Sequence, residues 1–359
     1  MKAFLYESQN ARVKFGVGFL KEVGNELKEL GGKRALVIAT PEQRELANEV
    51  ATLLGDLCAG IYTEAIQHVP RESIGQSMHV VQELQIDSFV PVGGGSSIGL
   101  AKALALETSF PILAIPTTYA GSEMTPVWGI TENGQKKTGK NMIVKPKTVI
   151  YDPNLTVTLP PSLTVTSGMN AIAHCAEGLY AENANPVISI MAEEGIRAVS
   201  SCLPRILENP EDMDARSEAL YGTWMGGTVL GSVGMALHHK LCHVLGGNYK
   251  LQHSETHTVI LPYAIWYNST YAPEAMARIA RAIGSEVDDV AGAIFDLSKS
   301  LGVAVSLKEI GMKKEDLDEA AVIATRNPYY NPRPIDGSAI RSLLEYAFIG
   351  ERPVQGRTL

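Results

Sequence analysis

Cysteine is scarce in this sequence, and no two cysteines have the CxxC spacing of a redox or metal motif. The four cysteines, Cys58, Cys175, Cys202 and Cys242, are scattered over 359 residues. A disulfide framework is typical of smaller secreted proteins, so we expect a cytoplasmic protein. Residues 1–16 lack the apolar core of a secretory signal, and no apolar run reaches the roughly 20 residues that a membrane-spanning helix needs. These absences argue against secretion and membrane insertion.

Basic charge is also in short supply. The chain has 31 Lys and Arg against 39 Asp and Glu, a net charge of −8 at pH 7. Binding to nucleic acid needs a basic face, so we expect no nucleic-acid partner. Hydrophobic residues make up 45% of the chain and charged residues 19%, which is an ordinary globular balance. The length predicts about two domains.

The first part of the chain, residues 1–160, alternates short apolar runs with helical patterns. The predicted strands are Arg34–Thr40, Cys58–Tyr62, Ser88–Val92, Pro111–Ile115 and Thr148–Tyr151. Strand–helix alternation of this kind predicts a parallel sheet with helices on both faces. We therefore predict a Rossmann-like α/β dinucleotide-binding domain over residues 1–160.

Two further patterns follow the strands. Asn133-Gly134 is a strong hairpin signal, and it predicts a hairpin between Val127–Thr131 and Met142–Val144. Residues 161–359 are helical in pattern, with a helix start at Pro161 and no convincing strand. We predict an all-helical second domain there.

A glycine run, GGGSSIG at Gly93–Gly99, follows an apolar strand and opens a helical pattern. Glycine lets the backbone approach a phosphate, which free N–H groups and the helix dipole then bind. The spacing is neither the G-x-G-x-x-G fingerprint nor a Walker A loop. Three successive glycines exceed the need of a tight turn, so we predict a cofactor phosphate site made by Gly93, Gly94, Gly95, Ser96 and Ser97. The two serines can also cap the helix.

A second loop, PTTYAGS at Pro116–Ser122, follows the next strand. Alone it would be an ordinary Pro/Gly loop, but its position predicts that Thr117, Thr118 and Ser122 complete the cofactor site. The end of the Arg34–Thr40 strand bears on the choice of cofactor. An acidic residue there would bind the adenine ribose and repel a 2′-phosphate. Pro41 follows instead, so we expect both NADH and NADPH to be accepted.

Histidines are concentrated in Gly168–Pro262, which holds six of the eight. They are His174, His238, His239, His243, His253 and His257. Asn170 and His174 are four residues apart, as are His239 and His243, so each pair would share a helix face. A lone histidine is more often structural, but such clustering favours a metal or proton-transfer site. We predict His174, His239, His243 and His253 as catalytic and His238 as structural, and we leave His257 open.

Together these features resemble the iron-containing (group III) alcohol dehydrogenase family. The resemblance spans most of the chain and rests on FGVG at Phe15, GGGSSIG, PTTYAGSE, the hairpin, NAIAH at Asn170, HKLCH at His239, and His253. It implies a dehydroquinate synthase-like architecture, a nicotinamide cofactor and a homodimer, with Met1–Tyr6 as a strand that joins the subunits.

The resemblance also implies where a metal would bind. The family holds its metal with one Asp and three His, and these places fall on Asn170, His174, His239 and His253. Asn170 breaks the pattern, because a neutral amide brings no charge against a divalent ion. We therefore expect no metal.

Within the family, PTTYAGSEMT, GMALHHKLCHVLGG, HSETHTVILP and NPYYNPRP resemble the branch that reduces 2-maleylacetate to 3-oxoadipate in aromatic-compound catabolism, without metal. Hydride addition to the conjugated C=C bond leaves an enolate, which hydrogen-bond donors can stabilise. His243 and His253 are our candidates for enolate stabilisation and proton delivery, while His174 and His239 shape the pocket.

A dianionic substrate needs polar and cationic partners. Arg326 and Arg333 bracket NPYYNP, and a guanidinium suits carboxylate pairing, although both could instead cap helices. Asn170 could donate an amide hydrogen bond to the substrate. Tyr119 could contact substrate or be a core residue. The predicted substrate-binding residues are therefore Asn170, Tyr119, Arg326 and Arg333.

Three alternatives stay open. A metal-dependent alcohol or polyol dehydrogenase of the same fold would retain a metal after purification. A 3-dehydroquinate synthase-like lyase would show no net consumption of NADH. A nucleotide-binding regulatory protein with a decayed site would explain Asn170, but the intact glycine loop and the retained histidines argue against it.

Overall fold

The short apolar runs of the first half form a six-stranded parallel sheet in a computed structural model, which describes residues 4–8, 11–132, 135–327, 329–354 and 356–357. The strands are β1 (Arg12–Phe15), β2 (Ala35–Ile38), β3 (Cys58–Tyr62), β4 (Ser88–Gly93), β5 (Leu113–Pro116) and β8 (Thr148–Tyr151), in the order β1-β8-β5-β4-β2-β3. Every residue of β2, β4, β5 and β8 is buried, as apolar runs predict for strands covered on both faces. The α/β prediction is confirmed.

The helices of this half are α1 (Val23–Leu30), α2 (Arg44–Leu54), α3 (Arg71–Glu83) and α4 (Gly95–Thr108). From β2 the chain moves outward to β3 and then returns to β4 on the other side of β2. The loops that leave the carboxyl ends of β2 and β4 therefore diverge, and such a reversal is where open α/β sheets bind ligands. The glycine run follows β4 directly.

The hairpin prediction was right in position and wrong in its second strand. β6 (Val127–Glu132) pairs antiparallel with β7 (Gln135–Lys140), and Asn133 and Gly134 lie outside the described residues. Met142–Val144, predicted as the partner strand, forms a 3-10 turn that the Asn141 side chain caps by accepting the Ile143 N–H at 3.0 Å. β7 is polar, so its sequence lacks the apolar signal that Met142–Val144 carries.

Strand β1 was not predicted. It pairs with β8 at the sheet edge, where its polar residues Arg12 and Lys14 lie 2.6 and 3.3 Å from the Glu26 carboxylate of α1. The strand was not predicted because an alternation of charged and apolar residues is a weak signal when it covers only four positions. The predicted Met1–Tyr6 strand falls partly outside the described residues, and residues 4–8 form neither helix nor strand.

From Pro160 onward the described residues contain helices and no strand, which confirms the helical prediction. The helices are α5 (Pro161–Leu179), α6 (Pro186–Glu208), α7 (Met213–Ser232), α8 (Leu237–Tyr249), α9 (His253–Asn268), α10 (Pro273–Ile283), α11 (Val290–Ser300), α12 (Leu317–Thr325) and α13 (Gly337–Ile349). The chain divides into an α/β unit, Ser8–Leu159, and a helical unit of Pro160–Leu359 with the described residues before Ser8. Among the described helices, none has the length and apolar character to cross a membrane.

The helical unit has a continuous apolar core around α5 and α9. Most of α5 from Thr164 to Leu179 is buried, as is α9 from Thr256 to Asn268. A helix that is buried on nearly all sides must hold its polar residues inside the protein, where each needs a partner or a ligand. Asn170, His174 and His257 lie on these two helices.

Candidate active site

The glycine run forms the turn from β4 into α4. Gly93 has a φ of 135°, which a side chain would strain. A Cβ atom at Gly94 would lie 3.0 Å from Cγ2 of Thr118, whereas Gly95 has no neighbouring atom within 4 Å of such a position. The first turn of α4 has no side-chain cap, so the predicted capping by Ser96 and Ser97 was wrong. Its backbone N–H groups can instead bind a phosphate.

The second loop lies beside this turn because β5 is the neighbour of β4. The Thr117 N–H donates to the Gly93 carbonyl at 3.2 Å, and the Thr118 side chain packs against Gly94. Thr117 and Thr118 are therefore at the glycine turn, as predicted. Tyr119 is fully buried within the α/β unit, which favours the core-packing alternative. Its role in substrate binding stays a prediction.

Ser122 is part of a buried lysine cluster that sequence reasoning missed. The ammonium of Lys102, which is 1% exposed, donates to the Ser122 carbonyl at 2.6 Å and to its hydroxyl at 3.3 Å. It also donates to Thr125 Oγ1 and to the Val127 carbonyl, both at 2.9 Å. Lys102 thus ties α4 to the end of the second loop. The available sign of this cluster in the sequence was a single lysine within the apolar middle of α4.

Two opposing effects act on this lysine. Burial lowers the pKa of Lys102 to about 7, with nearby Glu123 opposing that shift. The four oxygen acceptors favour the ammonium form, because they are arranged around a group that donates three hydrogens. Nearby, Tyr151 Oη donates to Glu123 Oε1 at 2.7 Å. The cluster links α4 and β8 to the second loop by hydrogen bonds.

In the helical unit, four buried imidazoles meet, and we call them the histidine chamber. They are His174, His238, His239 and His257. Ring centroids are 5.1 Å apart for His174 and His239, 4.9 Å for His239 and His257, and 4.8 Å for His238 and His257. His257, left open by sequence reasoning, is therefore a central member of the cluster.

The other two predicted histidines lie at the chamber's edge. His253 is half-buried, with its ring centroid 4.2 Å from that of His257. His243 is exposed, 6.4 Å from His239 between ring centroids, one helical turn along α8 as the spacing predicted. The structure thus brings all six clustered histidines together. His238 donates from Nε2 to the His257 carbonyl at 2.9 Å, a contact that suits the structural role predicted for it.

Burial keeps the chamber uncharged. Together with the neighbouring histidines, it lowers the pKa of His238 to about 4 and that of His239 to about 3. Burial also lowers the pKa values of His174 and His257 well below the usual range. Several polar atoms here lack a hydrogen-bond partner: Asn170 Oδ1, His174 Nδ1, His239 Nε2, and both ring nitrogens of His257. Buried polar atoms left this way cost stability, and they mark a place for a ligand.

Sequence reasoning missed Glu177. Among the described residues, it is the only one whose carboxylate forms a hydrogen bond with a residue of the histidine chamber. It is fully buried on α5, and its Oε2 lies 2.7 Å from His239 Nδ1. Oε1 accepts the His238 N–H at 2.7 Å, and Oε2 accepts the Ala236 N–H at 3.0 Å. Burial raises the pKa of Glu177, whereas these N–H donors lower it. The spacing of three residues from His174 was the available signal.

The chamber supplies three imidazole nitrogens for a metal, but it lacks the carboxylate of the family's metal site. Ring nitrogens of His174, His239 and His257 lie within 4.8 Å of one another and are neutral, which suits a soft divalent ion. The carboxylate that would balance the ion's charge is replaced by Asn170, and Glu177 is engaged with backbone N–H groups and His239. The residues therefore do not fit the family's carboxylate-plus-three-histidine set, and we derive no step through a metal.

The two predicted arginines differ in their surroundings. Arg333 stacks on Tyr267, with its guanidinium carbon 4.2 Å from the ring centroid. Tyr267 in turn donates to the Pro334 carbonyl at 2.8 Å. Arg326 follows α12 and is exposed. Contact of either with a substrate stays a prediction.

Comparison with known proteins agrees with this architecture. Residues 10–153 match the family described as iron-containing alcohol dehydrogenase, and residues 164–348 match its C-terminal part. The chain belongs to the iron-containing alcohol dehydrogenase family, as its motifs indicated.

Within this family, the chain is also similar to individual proteins. The chain is 53% identical to maleylacetate reductases of Delftia acidovorans and Burkholderia cepacia, over 98% of this chain and 99% or 100% of theirs. A crystal structure of maleylacetate reductase from Agrobacterium tumefaciens superposes with a TM-score of 0.95 at 47% identity, covering 98% of this chain and all of that one.

Proposed function

We propose that this chain is an oxidoreductase that reduces 2-maleylacetate to 3-oxoadipate with NADH or NADPH, in the catabolism of aromatic compounds. The observation that carries the proposal is the histidine chamber, whose neutral imidazoles have unpartnered nitrogens, and where the amide of Asn170 takes the place of the family's metal-binding carboxylate. Full-length similarity to maleylacetate reductases supports it.

Reduction of a conjugated C=C bond needs little stabilisation by a Lewis acid. A bound reduced nicotinamide supplies hydride to the alkene carbon β to the ketone of the substrate. The enolate that develops is less basic than the alkoxide of direct ketone reduction, so hydrogen-bond donors can stabilise it. His243 and His253 at the chamber's edge are our candidates for this stabilisation and for protonating the α carbon. His174 and His239 line the chamber as the remaining catalytic candidates.

The cofactor role of the glycine turn is part of the proposal. Gly93, Gly94 and Gly95 leave room for a phosphate at the start of α4, with Ser96, Ser97, Thr117, Thr118 and Ser122 around it. Ser122 already accepts from Lys102, so its contribution to the cofactor is through the shape of the loop. Because Pro41 begins the turn after β2 instead of an acidic residue, neither NADH nor NADPH is disfavoured.

The substrate's carboxylates require donors. Asn170 is 4% exposed beside His174 on α5, and its amide could donate to the substrate. Arg326 and Arg333 remain candidate carboxylate partners, and Tyr119 remains a candidate contact. The homodimer implied by the resemblance and a cytoplasmic location also remain expectations. Cys58, Cys175, Cys202 and Cys242 are all free thiols, as suits a reducing compartment.

The deciding experiment supplies the purified chain with 2-maleylacetate and NADH. We expect one NADH oxidised for each 3-oxoadipate formed, whereas a dehydroquinate synthase-like lyase would consume no net NADH. His243→Ala should lower turnover by about 100-fold if His243 protonates the product. His79→Ala, at an exposed position of α3, is the matched control. Wild-type turnover in His243→Ala would remove this residue from the mechanism.

Metal independence has its own test. Purified protein should retain activity in a chelator and contain less than stoichiometric metal. Asn170→Asp should gain metal, because it restores charge beside three neutral imidazole nitrogens. A tightly bound stoichiometric metal in the wild type, with activity lost on chelation, would favour the metal-dependent alcohol dehydrogenase alternative.

A further inference from the structure

A neighbouring group sets the hydrogen-bond role of two chamber imidazoles, His238 and His239, and the neighbour of His239 is a carboxylate. His239 Nδ1 lies 2.7 Å from Glu177 Oε2, and both side chains are buried. A carboxylate oxygen can only accept from an imidazole nitrogen, so this contact requires the His239 hydrogen on Nδ1. The other nitrogen, Nε2, then carries a lone pair and no hydrogen in the neutral ring.

Three backbone N–H groups indicate that Glu177 is the acceptor. Ala236, His238 and His239 donate to its two oxygens at 3.0, 2.7 and 3.4 Å. These donors belong to the start of α8, which has no cap from Ala236 itself. The positive end of the α8 dipole and the free N–H groups favour an anionic oxygen. Glu177 therefore caps α8 from α5, and the same cap brings its carboxylate to His239.

The free end of the His239 ring faces the other histidines. His239 Nε2 is buried and has no hydrogen-bond partner, and ring nitrogens of His174, His239 and His257 lie within 4.8 Å. His243 and His253 differ from the buried rings, because His243 is exposed and His253 is half-buried. The chamber thus holds His239 in a fixed orientation, and more exposed imidazoles lie at its edge.

We propose that Glu177 is a positioning residue for the reduction, which holds His239 as the Nδ1–H tautomer and presents its bare Nε2 to the chamber as a hydrogen-bond acceptor. This rests on the proposed function. In that tautomer neutral His239 cannot donate to an enolate oxygen. Its Nε2 can accept from a water molecule in the chamber, while enolate stabilisation and proton delivery fall to other rings, of which His243 and His253 are the candidates.

The first test reads the tautomer without any activity. Protein labelled with 15N-histidine is examined by NMR at neutral pH, with the His239 signals assigned by their loss in His239→Gln. We expect a protonated Nδ1 and an unprotonated Nε2. A hydrogen on Nε2 would overturn the proposal, whatever substrate the protein uses.

The second test asks whether Glu177 acts through His239. Glu177→Gln retains an acceptor oxygen but also brings an amide donor, so the ring can take the other tautomer. We expect kcat to fall about 10- to 100-fold, as for other residues that orient a functional histidine, with KM for NADH unchanged. In the His239→Gln background, Glu177→Gln should add little further loss.

A purely structural role predicts different results. It would give equal losses in both backgrounds, and that outcome contradicts the proposal, as does wild-type turnover of Glu177→Gln. Asp336→Asn is the matched control, because Asp336 caps α13 by accepting the Ala339 N–H at 2.8 Å and lies outside the chamber. If the wild type does not consume NADH with 2-maleylacetate, the proposed function fails, while the NMR result still decides the tautomer.

Discussion

Two buried polar clusters, one in each unit, differ in how far their atoms are satisfied. Lys102 in the α/β unit donates to four oxygens within 3.3 Å. In the histidine chamber, His257 has two buried ring nitrogens without a partner, and His239 has one. Both clusters are excluded from water, so the difference lies in pairing rather than in exposure.

This difference separates a group that stabilises the fold from groups held ready for a ligand. A buried polar group with its full set of hydrogen bonds makes its surroundings rigid, whereas an unpaired one lowers the free energy of unfolding. Evolution retains such a cost where function needs it. The comparison predicts opposite responses to substitution in the two units.

Acid should have the largest effect, and it should act through the chamber. Burial lowers the pKa of His238 to about 4 and the pKa values of His174 and His257 in the same direction. In the unfolded chain these histidines bind protons near pH 6.5, so the unfolded state takes up more protons. The contribution of these histidines to the free energy of unfolding is therefore fully present above about pH 6.5, and it is lost as the pH falls towards 4.

Each such histidine contributes up to about 1.4 kcal/mol per pH unit to that slope. Urea unfolding at a series of pH values between 7.5 and 5 measures the slope directly. A variant with one chamber histidine removed, His257→Leu, should show a shallower slope. A free energy of unfolding that does not change between pH 7 and 5 would show that the chamber is open to protons in the folded state.

Lys102→Met should have the next largest effect. The substitution keeps an apolar chain of similar length but leaves the Ser122 and Val127 carbonyls without their donor. We expect a loss of about 3 kcal/mol in the free energy of unfolding. We also expect a higher KM for NADH, because the second loop loses its tie to α4. Lys28→Met on the exposed face of α1 is the control. If both variants lost the same free energy of unfolding, Lys102 would have no special stabilising role and the contrast with the histidine chamber would not hold.

The smallest change in stability is expected for His257→Leu at pH 7.5. The substitution replaces two unpartnered ring nitrogens with an apolar side chain. We therefore expect the free energy of unfolding to stay the same or to rise by up to about 1 kcal/mol. Turnover with 2-maleylacetate should nevertheless fall, since the ring lies between His239 and His253. A loss of stability as large as that of Lys102→Met would show that the chamber is a structural cluster.

Much of the fold was readable from local pattern. β3 was predicted at Cys58–Tyr62, where the structure has it, because its apolar residues stand between turn signals. The 3-10 turn at Met142–Val144 was mistaken for a strand, because its apolar residues resemble one while the true partner, Gln135–Lys140, is polar. Pairing across a hairpin depends on register and turn length, and apolar content reports neither.

The candidate site shows the same limit more sharply. Helical spacing placed His239 and His243 on one face of α8, and the glycine run was placed at the start of a helix. Glu177 is three residues from His174, but no spacing paired it with His239, which is 62 residues away, and none indicated the fourfold pairing of Lys102. His257 was left open because neither possible role has a local signature.

By itself the sequence determined the alternation of strand and helix, the glycine turn and the histidine-rich helices, since each depends on residues within a few positions of one another. Only the tertiary structure decided which buried groups are paired. A hydrogen bond forms where two packed helices bring donor and acceptor within about 3 Å, and local periodicity carries no record of that distance. The tautomer proposed for His239 depends on such a contact, between the end of α5 and the first turn of α8.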